Sequence, residues 1–193
     1  MITADPWLAV TPTPLDGLLV IERRRHSDHR GYFGRLFCAN ELSAVGVDTS
    51  VAQVNHSFTR QVGTVRGLHF QHPPHCEVKF VSCLRGEVFD VAVDLRRGSP
   101  TFLKWHAERL SETNRRSLFI PRGFAHGFQT LSDDCELLYL HSAPYAAGAE
   151  GGVSPNDPAL GIHWPLPFTH ISHRDATHPA LPGDFRGLVE NSV

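Results

Sequence analysis

Two short runs concentrate the residues that could do chemistry. The first is Arg66-Gly67-Leu68-His69-Phe70-Gln71-His72-Pro73-Pro74-His75, with Glu77 and Lys79 close behind. The second is Pro121-Arg122-Gly123-Phe124-Ala125-His126-Gly127-Phe128. A neutral histidine is the side chain best suited to remove a proton from carbon near pH 7. A lysine on a neighbouring strand can stabilise the enolate oxygen that then develops. Strand alternation puts Lys79, Val81 and Cys83 on one face, and Val65, Gly67, His69 and Gln71 on one face of theirs, so both polar heads can enter one interior. The same alternation sends His69 and His72 to opposite faces, and the pair holds a metal jointly only if the strand bulges. No metal or cofactor is expected. Only Lys79 and Lys104 are lysines among 18 Lys and Arg residues, which weakens the plain reading of Lys79 as a solvent-facing cation. Tyr139 sits in the apolar stretch Leu137-Leu138-Tyr139-Leu140-His141. Pattern alone leaves open whether it is a core tyrosine with a satisfied hydroxyl or a working phenol.

The elements that must position these residues read as β. Phe89, Val91, Val93 and Leu95 alternate with Val88, Asp90, Ala92 and Asp94, the pattern of a half-buried strand. Further strands are expected at Leu18 to Glu22, Gly31 to Phe37, Val78 to Cys83, Thr101 to Leu110, Ser117 to Ile120, Gly127 to Leu131 and Cys135 to His141, cut by Gly and Pro turns. Asn40 to Val45 suits one short helix. The tail after Trp164 reads as loop with room for a last helical turn. Short strands at this spacing predict an all-β sandwich or barrel. The two chemical runs resemble the two halves of a cupin barrel.

At 193 residues the chain fits one domain spanning 1–193. A hydrophobic share of 41% and a charged share of 20% exclude wholesale disorder, and a net charge of −2 argues against nucleic acid or an anionic membrane as partner. No 18-residue apolar run exists and the N-terminus has no signal-like segment, so a soluble, cytoplasmic protein is expected. Cys38, Cys76, Cys83 and Cys135 show no C-x-x-C spacing and read as reduced packing residues.

From Leu18 to Asp175 the sequence resembles the dTDP-4-dehydrorhamnose 3,5-epimerase family, metal-free cupin-fold homodimers acting on a nucleotide-linked 4-keto-6-deoxyhexose. The segments that carry the likeness include Asp28-His29-Arg30-Gly31-Tyr32-Phe33, Gln53-Val54-Asn55, Arg66-Gly67-Leu68-His69-Phe70, Phe124-Ala125-His126-Gly127-Phe128, Asn156-Asp157-Pro158 and Ser172-His173-Arg174-Asp175, in order. The resemblance implies a double-stranded β-helix, or jelly roll. It implies His69 as base with Asp175 as its orienting carboxylate, Lys79 at the C4 carbonyl oxygen, and Tyr139 as the acid on the opposite face. His126 matches a second site histidine, with Asp90 as its partner. Arg66 and Gln53 match diphosphate contacts; Arg30, Asn55, Glu150 and Arg174 match other nucleotide or sugar positions, and Tyr145 an aromatic near the ligand. The N-terminal strands up to about residue 40 would meet across a homodimer two-fold, bringing Arg30 to the partner's site; 166–193 would be a tail.

The implied chemistry suits these residue types. A C4 ketone acidifies C3 and C5, so one base and one enolate stabiliser serve both carbons. Inversion needs the proton returned on the other face, and a guanidinium fork suits phosphate oxygens. Two points stay open. Arg66 and His69 are three apart and should face opposite ways, unless Gly67 permits a bulge or Arg66 reaches round the mouth. Arg35 stands where the family often has a Glu that helps hold thymine. The rival readings are an epimerase of C3 or C5 alone, a 3,4-ketoisomerase, a metal-dependent cupin oxygenase, and a non-catalytic sugar-nucleotide-binding cupin.

Overall fold

Short apolar runs punctuated by Gly and Pro fold almost wholly into strands, and the computed structural model describes residues 7–189. In chain order the strands are β1 (Leu8–Pro12), β2 (Leu19–Arg23), β3 (Arg25–Asp28) and β4 (Gly31–Gly34), then helix α1 (Ala39–Ser43). There follow β5 (Gln53–Thr59), β6 (Thr64–Gln71), β7 (Lys79–Arg85), β8 (Glu87–Asp94), β9 (Trp105–Ser111), β10 (Arg116–Ile120), β11 (Phe124–Thr130) and β12 (Cys135–His141). The last elements are β13 (Glu150–Gly152), β14 (His170–Ile171) and helix α2 (His173–Ala176).

Two sheets carry the architecture. The first runs β1-β2-β10-β7-β12-β5, the second β13-β6-β11-β8-β9, and β14 adds to β6 in parallel. β3 and β4 form a separate hairpin. Between the sheets Val81, Cys83, Leu118 and Leu137 of the first meet Val88, Ala92, Phe124 and Phe128 of the second. Each large apolar side chain buried this way contributes about 1.5–3 kcal/mol. This is the cupin-type jelly roll expected from the sequence.

The outer faces are covered too. Leu160, Trp164, Leu181, Phe185 and Leu188 pack on Leu68, Val91, Val93 and Leu95, the outer side of the second sheet. Leu42 of α1 and Val47 pack on Ile21, Phe80, Phe119 and Leu140, the outer side of the first. The expectation of a half-buried β8 is therefore corrected. Its Val91 and Val93, with Leu95 just beyond its end, lie under the C-terminal segment, and Val88, Asp90 and Ala92 face inward, so both faces are buried.

Other boundaries shift for local reasons. The strand expected from Thr101 starts at Trp105, because the Asp94 carboxylate accepts from Arg96, Ser99 and Thr101 and winds that segment into a turn. The strand expected to reach Phe37 ends at Gly34. β1, which the sequence reading passed over, pairs with β2 from Leu8↔Arg23 to Pro12↔Leu19. Among the described residues no helix is long and apolar enough to cross a membrane.

Candidate active site

The parity conflict between Arg66 and His69 resolves as a bulge. On β11, His126 pairs with His69 and Phe128 with Arg66, so three steps along β6 match two along β11. Gly67 takes φ +123°, and a Cβ there would stand 2.6 Å from Gly127 Cα and 2.8 Å from His126 O. A Cβ on Gly127 would in turn stand 2.6 Å from Arg66 O. Only glycine in both strands lets the backbones close here. As a result Arg66 and His69 line the same cavity, of about 660 Å³.

The bulge also gives the tail its docking point. Pairing of β14 with the start of β6 brings α2 to Gly67, where the Gly67 N–H donates to Asp175 Oδ2 (3.1 Å). Ser172 caps α2 by accepting from the Asp175 N–H (3.0 Å), which turns the Asp175 side chain inward. Its Oδ1 lies 2.9 Å from His69 Nε2. Burial opposes the Asp175 charge, but hydrogen bonds from His69, the Gly67 N–H and Ser172 outweigh it and hold the carboxyl well below the usual range. An ionised carboxylate only accepts, so we assign the His69 proton to Nε2 and the basic lone pair to Nδ1, which makes the 3.2 Å approach of Arg174 Nη2 to Nε2 a contact without a hydrogen bond.

The facing wall comes from the first sheet. Lys79 is buried at the start of β7; its Nζ donates to His69 O (3.3 Å) and pairs with Glu77 Oε1 (3.2 Å). Tyr139 lies on β12, and its OH meets Ser57 Oγ at 3.2 Å. Burial pushes the phenol above its ordinary value, so it stays protonated through the neutral range. His126 of β11 lies in the same cavity, with both Asp90 oxygens 3.0 Å from its Nε2.

The rim is one chain of hydrogen bonds. Arg174 Nη1 donates to Glu150 Oε1 (3.0 Å), and Tyr145 OH to Glu150 Oε2 (2.9 Å). The Tyr145 N–H donates to Gln53 Oε1 (2.9 Å), and Gln53 Nε2 to Asn55 Oδ1 (3.0 Å). Arg66 Nε donates to Thr59 Oγ1 (3.0 Å). His69, Lys79, Tyr139, Asp175, Asn55, Arg66, His126 and Arg174 thus line one cavity, with Gln53, Tyr145 and Glu150 on its rim. Arg30 is different: it lies on the β3–β4 turn, paired with Asp28 at 2.6 Å, outside that cavity in its own chain. Arg35 is engaged with Glu41 of α1 and lies over the Trp7 ring.

Sequence reasoning missed several cavity residues, three of which stand near the named groups. His141 stacks on Tyr139 at 6.1 Å between ring centroids, Ser57 bonds the phenol, and His170 sits on β14. Strand parity with Tyr139 could have found His141. The ligand atoms of His69, Asp175 and His178 lie within 4.8 Å of one another, close enough for a metal set by distance alone. The Arg174 guanidinium stands against that set, 3.2 Å from His69 Nε2 and 3.3 Å from Asp175 Oδ1. A cation already held there does not suit a second.

A family model described as dTDP-4-dehydrorhamnose 3,5-epimerase matches residues 12–182. A dTDP-4-dehydrorhamnose 3,5-epimerase of Streptomyces griseus is 47% identical over 181 residues, covering 92% of this chain and 90% of that protein. A dTDP-4-dehydrorhamnose 3-epimerase of Streptomyces niveus is 39% identical over 169 residues, covering 87% and 81%. The crystal structure of a dTDP-6-deoxy-D-glucose-3,5-epimerase from Legionella pneumophila, in complex with dTDP-4-keto-L-rhamnose, superposes with a TM-score of 0.88 at 36% identity, covering 96% of this chain and 100% of that one. On sequence and fold together, this chain belongs to the dTDP-4-dehydrorhamnose 3,5-epimerase family.

Proposed function

We propose that this protein inverts C3 and C5 of a nucleotide-diphospho-4-keto-6-deoxyhexose, most simply dTDP-4-dehydro-6-deoxyglucose, giving dTDP-4-dehydro-L-rhamnose. The observation that carries the reading is the opposition of two walls: a histidine–carboxylate pair on β6 and α2, and a half-buried, protonated phenol on β12. His69 Nδ1 takes the proton from the carbon next to the C4 ketone. The electron pair moves into the C4 oxygen, where the Lys79 ammonium stabilises it. Asp175 balances the imidazolium, and Tyr139 returns a proton from the other face. Arg66, Arg174, Gln53 and Asn55 hold the nucleotide diphosphate, with Glu150 and Tyr145 shaping the rim.

The proposal includes a homodimer. Tyr32 and Phe33 on the β3–β4 hairpin are 62% and 70% exposed, and β5 ends its sheet with Val54 and Phe58 uncovered. Pairing these across a two-fold would cover both and carry Arg30 to the partner's cavity. A fully active monomer in sedimentation at micromolar concentration would refute it.

The chemistry is tested by NMR of the 4-keto sugar nucleotide in D₂O, reading C3 and C5 separately. Wild-type enzyme should exchange and invert both. Exchange confined to C3 would favour the activity that the Streptomyces niveus relative's name describes. Tyr139→Phe should still incorporate deuterium, since His69 and Lys79 remain, yet fail to invert. Normal inversion by that variant would sink the acid role.

A further inference from the structure

Lys79 is the cation on which enolate stabilisation rests, and the groups that hold it have no part in the scheme above. Glu77 lies two residues earlier with only 7% of its side chain exposed, and its Oε1 is 3.2 Å from Lys79 Nζ. Gln71 Nε2 donates to its other oxygen. Gln71 is itself locked, donating to His75 O (3.0 Å) and accepting from the Ala146 N–H (2.7 Å). Opposite Lys79 on the β12–β7 ladder stands His141, its Nδ1 3.9 Å from Glu77 Oε1. Asn55 Nδ2 lies 3.4 Å from His141 Nε2, which makes that nitrogen the acceptor and turns the ring N–H toward Glu77. Burial, with Lys79 and His126 nearby, lowers the His141 pKa to about 4, so no second cation competes for the carboxylate.

A buried carboxylate is expensive to desolvate, and a lysine kept only for packing has no use for one. Here it does something specific. With Glu77 in ion-pair contact and one N–H on His69 O, the ammonium is held at two points and keeps donor capacity for a ligand. We infer that Glu77 is a positioning residue of the reaction, holding the Lys79 ammonium between β7 and β6 and aimed at the oxygen of the developing enolate. The inference rests on the proposed epimerase reading. The other titratable groups sharing this part of the cavity are His69 of β6, His126 of β11, and Tyr139 and His141 of β12. The carboxylates of Asp90 and Asp175 are each bonded to an imidazole, and among the described residues Glu77 is the anion in ion-pair contact with Lys79.

The test is Glu77→Gln, which keeps the shape and can still accept from Gln71. With dTDP-4-dehydro-6-deoxyglucose as substrate, kcat should fall about tenfold, and the alkaline limb of kcat against pH should move down by about one unit, the smaller end of what an opposite charge at this range does. KM and calorimetric dTDP affinity should stay within twofold. A purely structural Glu77 would lower the melting temperature without moving the limb, and wild-type kcat with a wild-type limb would overturn the inference. Should Glu77→Gln not fold, Glu77→Asp keeps the charge with a shorter reach. It should show reduced kcat with an unmoved limb, and a limb moved as far as expected for Gln would overturn the role. Lys79→Met separates the two layers of argument. Wild-type turnover in Lys79→Met would bring down the proposed reaction itself. Lost turnover there, beside an unaffected Glu77→Gln, would remove only Glu77.

Discussion

Two imidazole–carboxylate pairs share the cavity and are built differently. His126 and Asp90 come from neighbouring strands of one sheet, and their side chains are only 6% and 0% exposed. Both Asp90 oxygens lie at 3.0 Å from one ring nitrogen. His69 keeps 25% of its side chain exposed, and its carboxylate arrives from a segment 106 residues away, through the bulge at Gly67. A proton acceptor must reach substrate and exchange with it, whereas a buried pair can fix shape and charge without moving a proton. Accessibility, more than residue type, separates the proposed base from its look-alike.

The sharpest way to break that distinction is His69→Asn. We expect solvent exchange at C3 and C5 to fall at least about 10³-fold, within the range seen for loss of a general base, while dTDP affinity and melting temperature hold. Near-normal exchange at one carbon would transfer that carbon to His126.

Asp175→Asn should be milder on rate, with exchange down about 10²-fold because the imidazole loses its orienting anion. It carries a second signature. The Asp175 carboxyl is held below its unfolded value, so its stability contribution is complete above the usual carboxylate range and drains away as pH falls below it. Denaturant titrations at pH 7 and pH 3.5 should therefore show a smaller acid loss in the variant than in wild type. An equal loss would contradict the hydrogen-bonded dyad.

The buried pair should respond the other way round. Asp90→Asn leaves a buried imidazole poorly matched, at a cost of about 1–3 kcal/mol of stability, with a smaller fall in exchange than Asp175→Asn. A larger fall would make His126–Asp90 the working pair and reverse the comparison.

Among the described residues, His141 extends the series as an imidazole with no carboxylate at bonding distance, Glu77 standing 3.9 Å away. Its folded pKa, about 4, lies below the ordinary 6.5, chiefly through burial. The unfolded chain therefore takes up the proton first, and stability falls as pH drops from 6.5 toward 4. His141→Gln should relieve about 1 kcal/mol of that loss at pH 5.5 and none at pH 8, read from denaturant midpoints. The smallest of these effects, it separates a neutral spacer from a charged ligand group.

Much of this was legible in one dimension. Period-2 apolar runs with Gly and Pro punctuation specified strands, and β12 was read to the residue, Cys135–His141. Alternation put Lys79 on the inward face with Val81 and Cys83, as found. It failed where a strand departs from regularity. Arg66 and His69 could not be set on one side without knowing that β6 bulges, and β8 could not be read as doubly buried without the tail that covers it. His141 and Ser57 went unnoticed because neither belongs to a motif; only the cavity makes them neighbours of Tyr139.

The sequence by itself determined the all-β class, the inward lysine, and the set of residues whose types suit proton transfer beside a carbonyl. Those follow from local terms: alternation, turn chemistry and side-chain acidity act within a few residues. Which carboxylate serves which imidazole was decided in three dimensions. The Gly67 bulge leaves a backbone N–H for Asp175 to bind, β14 docks on β6, and Ser172 caps the turn that aims the carboxylate. Distance along the chain carries no information about such a contact, because its energy appears only once both sheets and the returning tail have packed.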